Sequence, residues 1–107
     1  MPLEVHLDDR TLAHLQIVIV SKLRRRESFV FSWREDMSGA EGRVSVWIHP
    51  DCDLAFRFAG SRTPSVNRSW VAQLTELANS GSGLWIVPEP AAAGAGAGAG
   101  GDAPDAS

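Results

Sequence analysis

Between Gly60 and Trp70 the chain carries the residue types best suited to holding an anion. They are Arg62 and Arg68, the hydroxyls of Thr63 and Ser65, Asn67 and the Trp70 indole. A glycine turn followed by an amphipathic run predicts that a helix starts here. Free N–H groups at a helix N-terminus, backed by the positive end of its dipole, attract phosphate or carboxylate, as do guanidinium forks. Arg57 lies just upstream, and no carboxylate occurs between Leu54 and Thr75. Arg57, Arg62 and Arg68 are therefore the candidate set for binding an anion or nucleic acid. The commoner role of such residues is structural, with Thr63 and Ser65 capping the helix and the arginines pairing with carboxylates.

His49-Pro50-Asp51-Cys52-Asp53 places metal-ligating types close together. Zinc needs three or four converging ligands, and His49 and Cys52 supply two without a matching pair elsewhere. The segment reads better as a hairpin turn, with proline setting the bend and the aspartates accepting backbone hydrogen bonds. Neither a Gly-x-Ser-x-Gly elbow nor a Walker loop is present, and no carboxylate pair stands out for acid–base work. Cys52 and the 3 histidines lie in no recognisable nucleophile setting. No catalytic residue, cofactor or metal is expected.

The elements that position these residues can be read from periodicity. Leu3–Leu7 is a short candidate strand, and Asp8 or Asp9 then caps a helix reaching about Arg25. Leu12, Leu15, Ile19 and Leu23 share one face of that helix, with Arg10, His14, Ser21 and Arg25 opposite. Alternation predicts strands over Ser28–Trp33, Arg43–His49 and Leu54–Ala59, joined by a long polar connection, Arg34–Gly42, and a short one, Pro50–Asp53. A second helix is expected near Pro64 with Thr63 as N-cap, its buried stripe being Val66, Trp70, Leu74 and Leu77. Leu84–Val87 is the last strand. The order β-α-β-β-β-α-β gives an α+β fold in two layers, both helices covering one face of a mainly antiparallel sheet.

That arrangement leaves a second sheet face carrying Val30, Ser32, Ser45, Trp47, His49, Ala55, Arg57 and Ala59. A tryptophan among small residues, beside an arginine, is typical of a contact surface. Trp47, Arg57 and His49 are the candidate interaction residues, and self-association is the commonest use of such a patch.

One domain fits within residues 1–90, with its folding unit at about 2–88. Ala91–Gly101 contains only alanine and glycine, so 91–107 is expected to be a disordered tail. Setting Glu89, Asp102 and Asp105 aside from the 13 acidic residues leaves as many acids as the 10 basic ones. A globally basic nucleic-acid protein is excluded, although Lys22, Arg24, Arg25 and Arg26 form a local cluster. The single cysteine has no partner for an internal disulfide. Acidic residues near the start do not suit a signal peptide, and no apolar run suits a membrane span. The expected location is cytoplasmic.

The run Asp9–Arg25, the Trp47-Ile48-His49-Pro50 turn, Phe56-Arg57-Phe58, the pattern Gly60-Ser61-Arg62-x-Pro64-x-x-Asn67-Arg68-x-Trp70 and Val87-Pro88-Glu89-Pro90 together resemble a family of small uncharacterised actinobacterial proteins. Members of that family are often labelled "ATP-dependent DNA ligase". Such a ligase would need a lysine within Lys-x-Asp-Gly to form its adenylate. The only lysine here, Lys22, is followed by Leu23, Arg24 and Arg25. The label therefore implies at most an accessory DNA contact. The chain is expected to be a non-catalytic interaction module that self-associates through the sheet face or binds a protein partner. The alternative is a nucleic-acid or phosphate-binding accessory protein using the arginines at the second helix start. No membrane partner is expected.

Overall fold

The computed structural model describes residues 4–37 and 40–91, the backbone alone at 36, 37, 40 and 41; past residue 91 the expected tail lies outside the described residues. Helix α1 spans Asp9–Arg24, strand β1 Phe29–Met37, strand β2 Ala40–Ile48, helix α2 Arg68–Ala78 and strand β3 Leu84–Trp85. The fold is α+β: two helices against a three-stranded mixed sheet of order β2-β1-β3. β1 and β2 pair antiparallel from Phe29↔Ile48 to Met37↔Ala40, and β3 adds parallel through Phe31↔Leu84 and Ser32↔Trp85.

Register decides which face is buried. Phe29, Phe31 and Trp33 share a face with Ile48, Val46 and Leu84. That face joins Leu15, Val18 and Ile19 of α1 and Trp70, Leu74 and Ala78 of α2 in one apolar cluster. Leu84 is wholly enclosed at 0% exposure, so even a two-residue strand is fixed by what its side chain fills.

Asp8 caps α1, its carboxylate accepting from Thr11 N (3.1 Å) and Thr11 Oγ (2.6 Å). The β-branched run Ile17–Val20 is helical, because Val18 and Ile19 are needed in the core. The buried stripe is broader than the expected Leu12-Leu15-Ile19-Leu23 line: His14, Leu15, Val18, Ile19 and Lys22 are buried. His14 moves from the expected outer stripe to full burial because α1 packs against α2, where its ring meets Trp70 and the Asn67 N–H.

Several expected elements differ in extent. The hairpin arms continue into the connection Arg34–Gly42, with Arg34↔Arg43, Glu35↔Gly42 and Asp36↔Glu41 in register, while its residues 38 and 39 lie outside the described residues. Backbone pairing carries the ladder past the apolar core, so hydropathy alone stops the strands too early. Two expected strands have no place in the sheet. Residues 4–8 join no ladder, with Val5 and Leu7 packed against the core, while Leu3 lies outside the described residues. Leu54–Ala59 is also outside the sheet. A turn closed by Cys52 N donating to His49 O (3.1 Å) carries the chain away from β2. The Asp9 carboxylate then takes the Ala59 N–H (2.9 Å) and the Gly60 N–H (2.8 Å), drawing the segment toward the start of α1.

Gly83 turns the chain from α2 into β3 at φ +85, and a Cβ there would meet Val30 O at 2.6 Å. Both the left-handed backbone and the close approach require glycine. Gly83→Ala is expected to cost about 2 kcal/mol or more in denaturant unfolding, whereas Gly81→Ala, with open space around it, should be near neutral.

Candidate functional site

Helix α2 starts at Arg68, not at Pro64, and its N-cap is Asn67 rather than Thr63. The Asn67 side chain is only 6% exposed and every polar atom of it is used. Its Oδ1 accepts from Ser69 N (3.0 Å) and Trp70 N (3.3 Å), and its Nδ2 donates to Glu89 Oε2 and Pro90 O, both at 2.9 Å. Its backbone N–H donates to His14 Nε2 at 2.8 Å. Because Nε2 accepts, the His14 ring proton sits on Nδ1 and donates to Arg10 O at 2.7 Å. The ring also lies 4.6 Å from the Trp70 ring, whose Nε1 donates to Val87 O at 3.0 Å.

Glu89, expected outside the folding unit, completes this cluster. Arg10 grips it with two parallel hydrogen bonds, Nε to Oε1 at 2.7 Å and Nη2 to Oε2 at 2.6 Å, while Nη1 reaches Ser65 O at 2.9 Å. The two side chains stay 38% and 31% exposed, so salt screens the pair, and its value lies in the fixed bidentate geometry. Arg10, and then Asn67, hold the Glu89 carboxyl down from its ordinary 4.5 to about 2.

The start of α2 is thus closed from within: an asparagine caps its first N–H groups, and the chain's own carboxylate takes the place beside that cap. Arg57, Arg62 and Arg68 are all exposed, and among the described residues none has an ion-pair partner. They remain as surface charge without the helix N-terminus behind them.

The basic cluster on α1 is also largely spoken for. Lys22 is 6% exposed; its Nζ donates to Asn79 Oδ1 (2.5 Å), pairs with Glu27 (3.0 Å) and lies 5.9 Å from the Phe29 ring centre. Hydrogen bonds from Lys22 first, then Arg25, hold the Glu27 carboxyl below its ordinary range. The chain's lone lysine ties the end of α1 to the end of α2. In the turn after β2, which joins no hairpin, His49 Nδ1 accepts from Asp51 N at 3.3 Å and Cys52 packs against the core. Among the described residues no group of three or more His, Cys, Asp or Glu side chains gathers as a metal site.

The outer sheet face is different. Trp47 is 62% exposed, the largest exposure among the large apolar side chains. It sits opposite Val30, beside the Ser32–Ser45 pair, whose hydroxyls are 2.7 Å apart. Trp85, in register with Ser32, flanks the serines on the other side, and Arg34 opposite Arg43 forms the next row. Of the three sequence candidates for this surface, only Trp47 stands on the sheet. His49 lies past the end of β2 in the turn, and Arg57 is exposed on the off-sheet segment. Trp85 and Arg43 were missed, although the alternation of Leu84 with Trp85 and of Val44 with Arg43 assigns both to this face.

Fold and surface together define a small α+β domain. A family model described as "Domain of unknown function (DUF7882)" matches residues 2–89, and the chain belongs to that family. No curated protein and no solved structure matches the chain. The matched span ends at Glu89, the residue that Arg10 and Asn67 hold.

Two outcomes follow. Asn67→Ala should lower unfolding free energy by about 2 kcal/mol, because it uncaps α2 and leaves buried partners unmatched. Glu89 binds its proton more weakly in the folded chain than in the unfolded one. Its contribution is therefore full above about pH 4.5 and lost as pH falls toward 2. Denaturant midpoints measured across that window should fall more steeply for the wild type than for Glu89→Gln.

Proposed function

We propose that this domain is a non-catalytic, cytoplasmic interaction module that self-associates through the outer face of its sheet. The observation that supports this reading is Trp47, 62% exposed on a regular sheet instead of in a loop. A rigid indole beside a low floor of Val30, Ser32 and Ser45 resembles the aromatic anchors that dominate protein interfaces. Ser32 is only 2% exposed, so the floor is closed and a partner would meet tryptophan, not backbone. Among the described residues no helix is long and apolar enough to cross a membrane.

Nucleic-acid binding is the second reading, supported by the exposed Arg57, Arg62 and Arg68 and by the ligase label of the resembled actinobacterial family. The two readings separate by salt: phosphate contacts weaken steeply as salt rises, whereas an indole-centred protein contact does not. Sedimentation equilibrium of the wild type is expected to show a concentration-dependent mass above one chain. Trp47→Glu should return it to a single chain with unchanged circular dichroism. An unchanged mass, together with oligonucleotide binding lost in Arg62→Ala/Arg68→Ala, would replace this reading with the second one.

A further inference from the structure

Strand β2 is an edge of the sheet, and neither its sequence nor its pairing protects that edge. The order β2-β1-β3 leaves its far side without a ladder, and among the described residues no hydrogen bond is formed there. From Gly42 to Ile48 it holds no proline and one charge, Arg43, and its register with β1 runs without a bulge. Edges are ordinarily blunted by proline, charge or a bulge, because free N–H and C=O groups recruit another strand. A cavity of about 360 Å³ lies beside this edge, lined by Val46, Trp47 and Ile48 and by Leu54, Ala55 and Phe56 among others. Neighbouring strand residues point to opposite faces, so a cavity that touches all three of β2 comes round the edge itself. The residues that alternation assigns to the next strand thus leave room beside β2 instead of closing it.

The occupant follows from the self-association already proposed, and this contact rests on that reading. The outward residues of β2, Arg43, Ser45 and Trp47, are a cation, a small hydroxyl and an indole. Laid antiparallel on itself at Ser45, the strand sets each Arg43 opposite Trp47 of the other copy, where a guanidinium can cover the face of an indole. The match is between unlike residues, so it holds in one register only. An axis at Val44 sets Trp47 against Glu41, one at Val46 sets it against Ser45, and one at Trp47 runs the ladder into Pro50, which has no N–H. A strand of other sequence would need a cation of its own at that position, and a second copy already carries one. On the inner side Val44 of the second copy comes opposite Val46, at the cavity. We infer that β2 pairs antiparallel with β2 of a second copy, across a two-fold axis at Ser45, so that Arg43 of each covers Trp47 of the other.

A ladder over Gly42–Ile48 is short by interface standards, so covalent capture reads it more directly than mass does. In a Cys52→Ser background, chains carrying only Val44→Cys are mixed with chains carrying only Val46→Cys and oxidised. Disulfide-linked dimers should form in the mixture and not in either variant alone, since 44 meets 46 of the other copy and neither meets itself. Both positions lie on the inner side of the sheet, so two copies stacked by their outer faces could not give this link. Both valines are half-buried and cysteine is no larger, so the fold should survive, with circular dichroism as the check.

A second measurement needs no cysteine. Arg43→Gln keeps part of the stem and removes the charge from both Trp47 contacts, and it should weaken self-association about tenfold in sedimentation equilibrium. The pairing is overturned if folded chains give no cross-link in the mixture, or if either variant links to itself as readily. It is also overturned if Arg43→Gln leaves association unchanged. In those cases a wild-type mass above one chain keeps the Trp47 reading and removes only this geometry. A wild-type mass of a single chain at every concentration removes both.

Discussion

The structure depends on how Asn67 is satisfied. A short polar side chain buried at the start of a helix must find partners for one acceptor and two donors, and its backbone N–H needs another. Here those partners come from three places in the chain: the first turn of α2, Glu89 and Pro90 in the C-terminal segment, and His14 on α1. None of the three can move without breaking a bond to Asn67. The network fixes the angle between the helices, and Trp70 packs against His14 while anchoring Val87. The same bonds consume the anion-binding capacity of the helix start. Stability and an anion site compete for the same N–H groups, and stability has them.

With both helices drawn to one side of the sheet, the other side is left to the side chains of the strands themselves. Ser32 and Ser45 satisfy each other, so the centre of that face needs no cover. Trp47 has no such solution. It lies where the register puts it, opposite Val30, because shifting β2 by one residue would bring Trp47 inward and push Val46 and Ile48 out of the core. Its exposure is thus the consequence of a register fixed by the buried face, and what remains is a surface whose chemistry suits association.

The sequence made some features plain and hid others, for physical reasons. The core alternation Phe29-Phe31-Trp33 and the α2 residues Trp70 and Leu74 were legible, because burial imposes a period. Asn67 stands in the sequence as one polar residue among several near the helix start, and its place as N-cap was not legible; Thr63 and Pro64 imitate a helix start that comes later. The role of His14 depends on a neighbour 53 residues away, and that of Glu89 on one 79 away, and no local pattern encodes such distances. Leu54–Ala59 has an honest strand pattern, but alternation reports a side chain's two environments and says nothing of what lies beside the backbone. Arg57 was placed on the sheet for that reason, and the expected last strand, Leu84–Val87, is laddered only at Leu84 and Trp85.

The bond between α1 and the cap of α2 is the most direct point at which to test this account. A long-range proton–nitrogen correlation spectrum of the His14 imidazole reports which ring nitrogen carries the proton. The two hydrogen bonds of the ring require a proton on Nδ1 and an unprotonated Nε2 that receives the Asn67 N–H. A ring protonated at Nε2 would contradict it, because that nitrogen could not accept the bond on which the closure of the helix start rests.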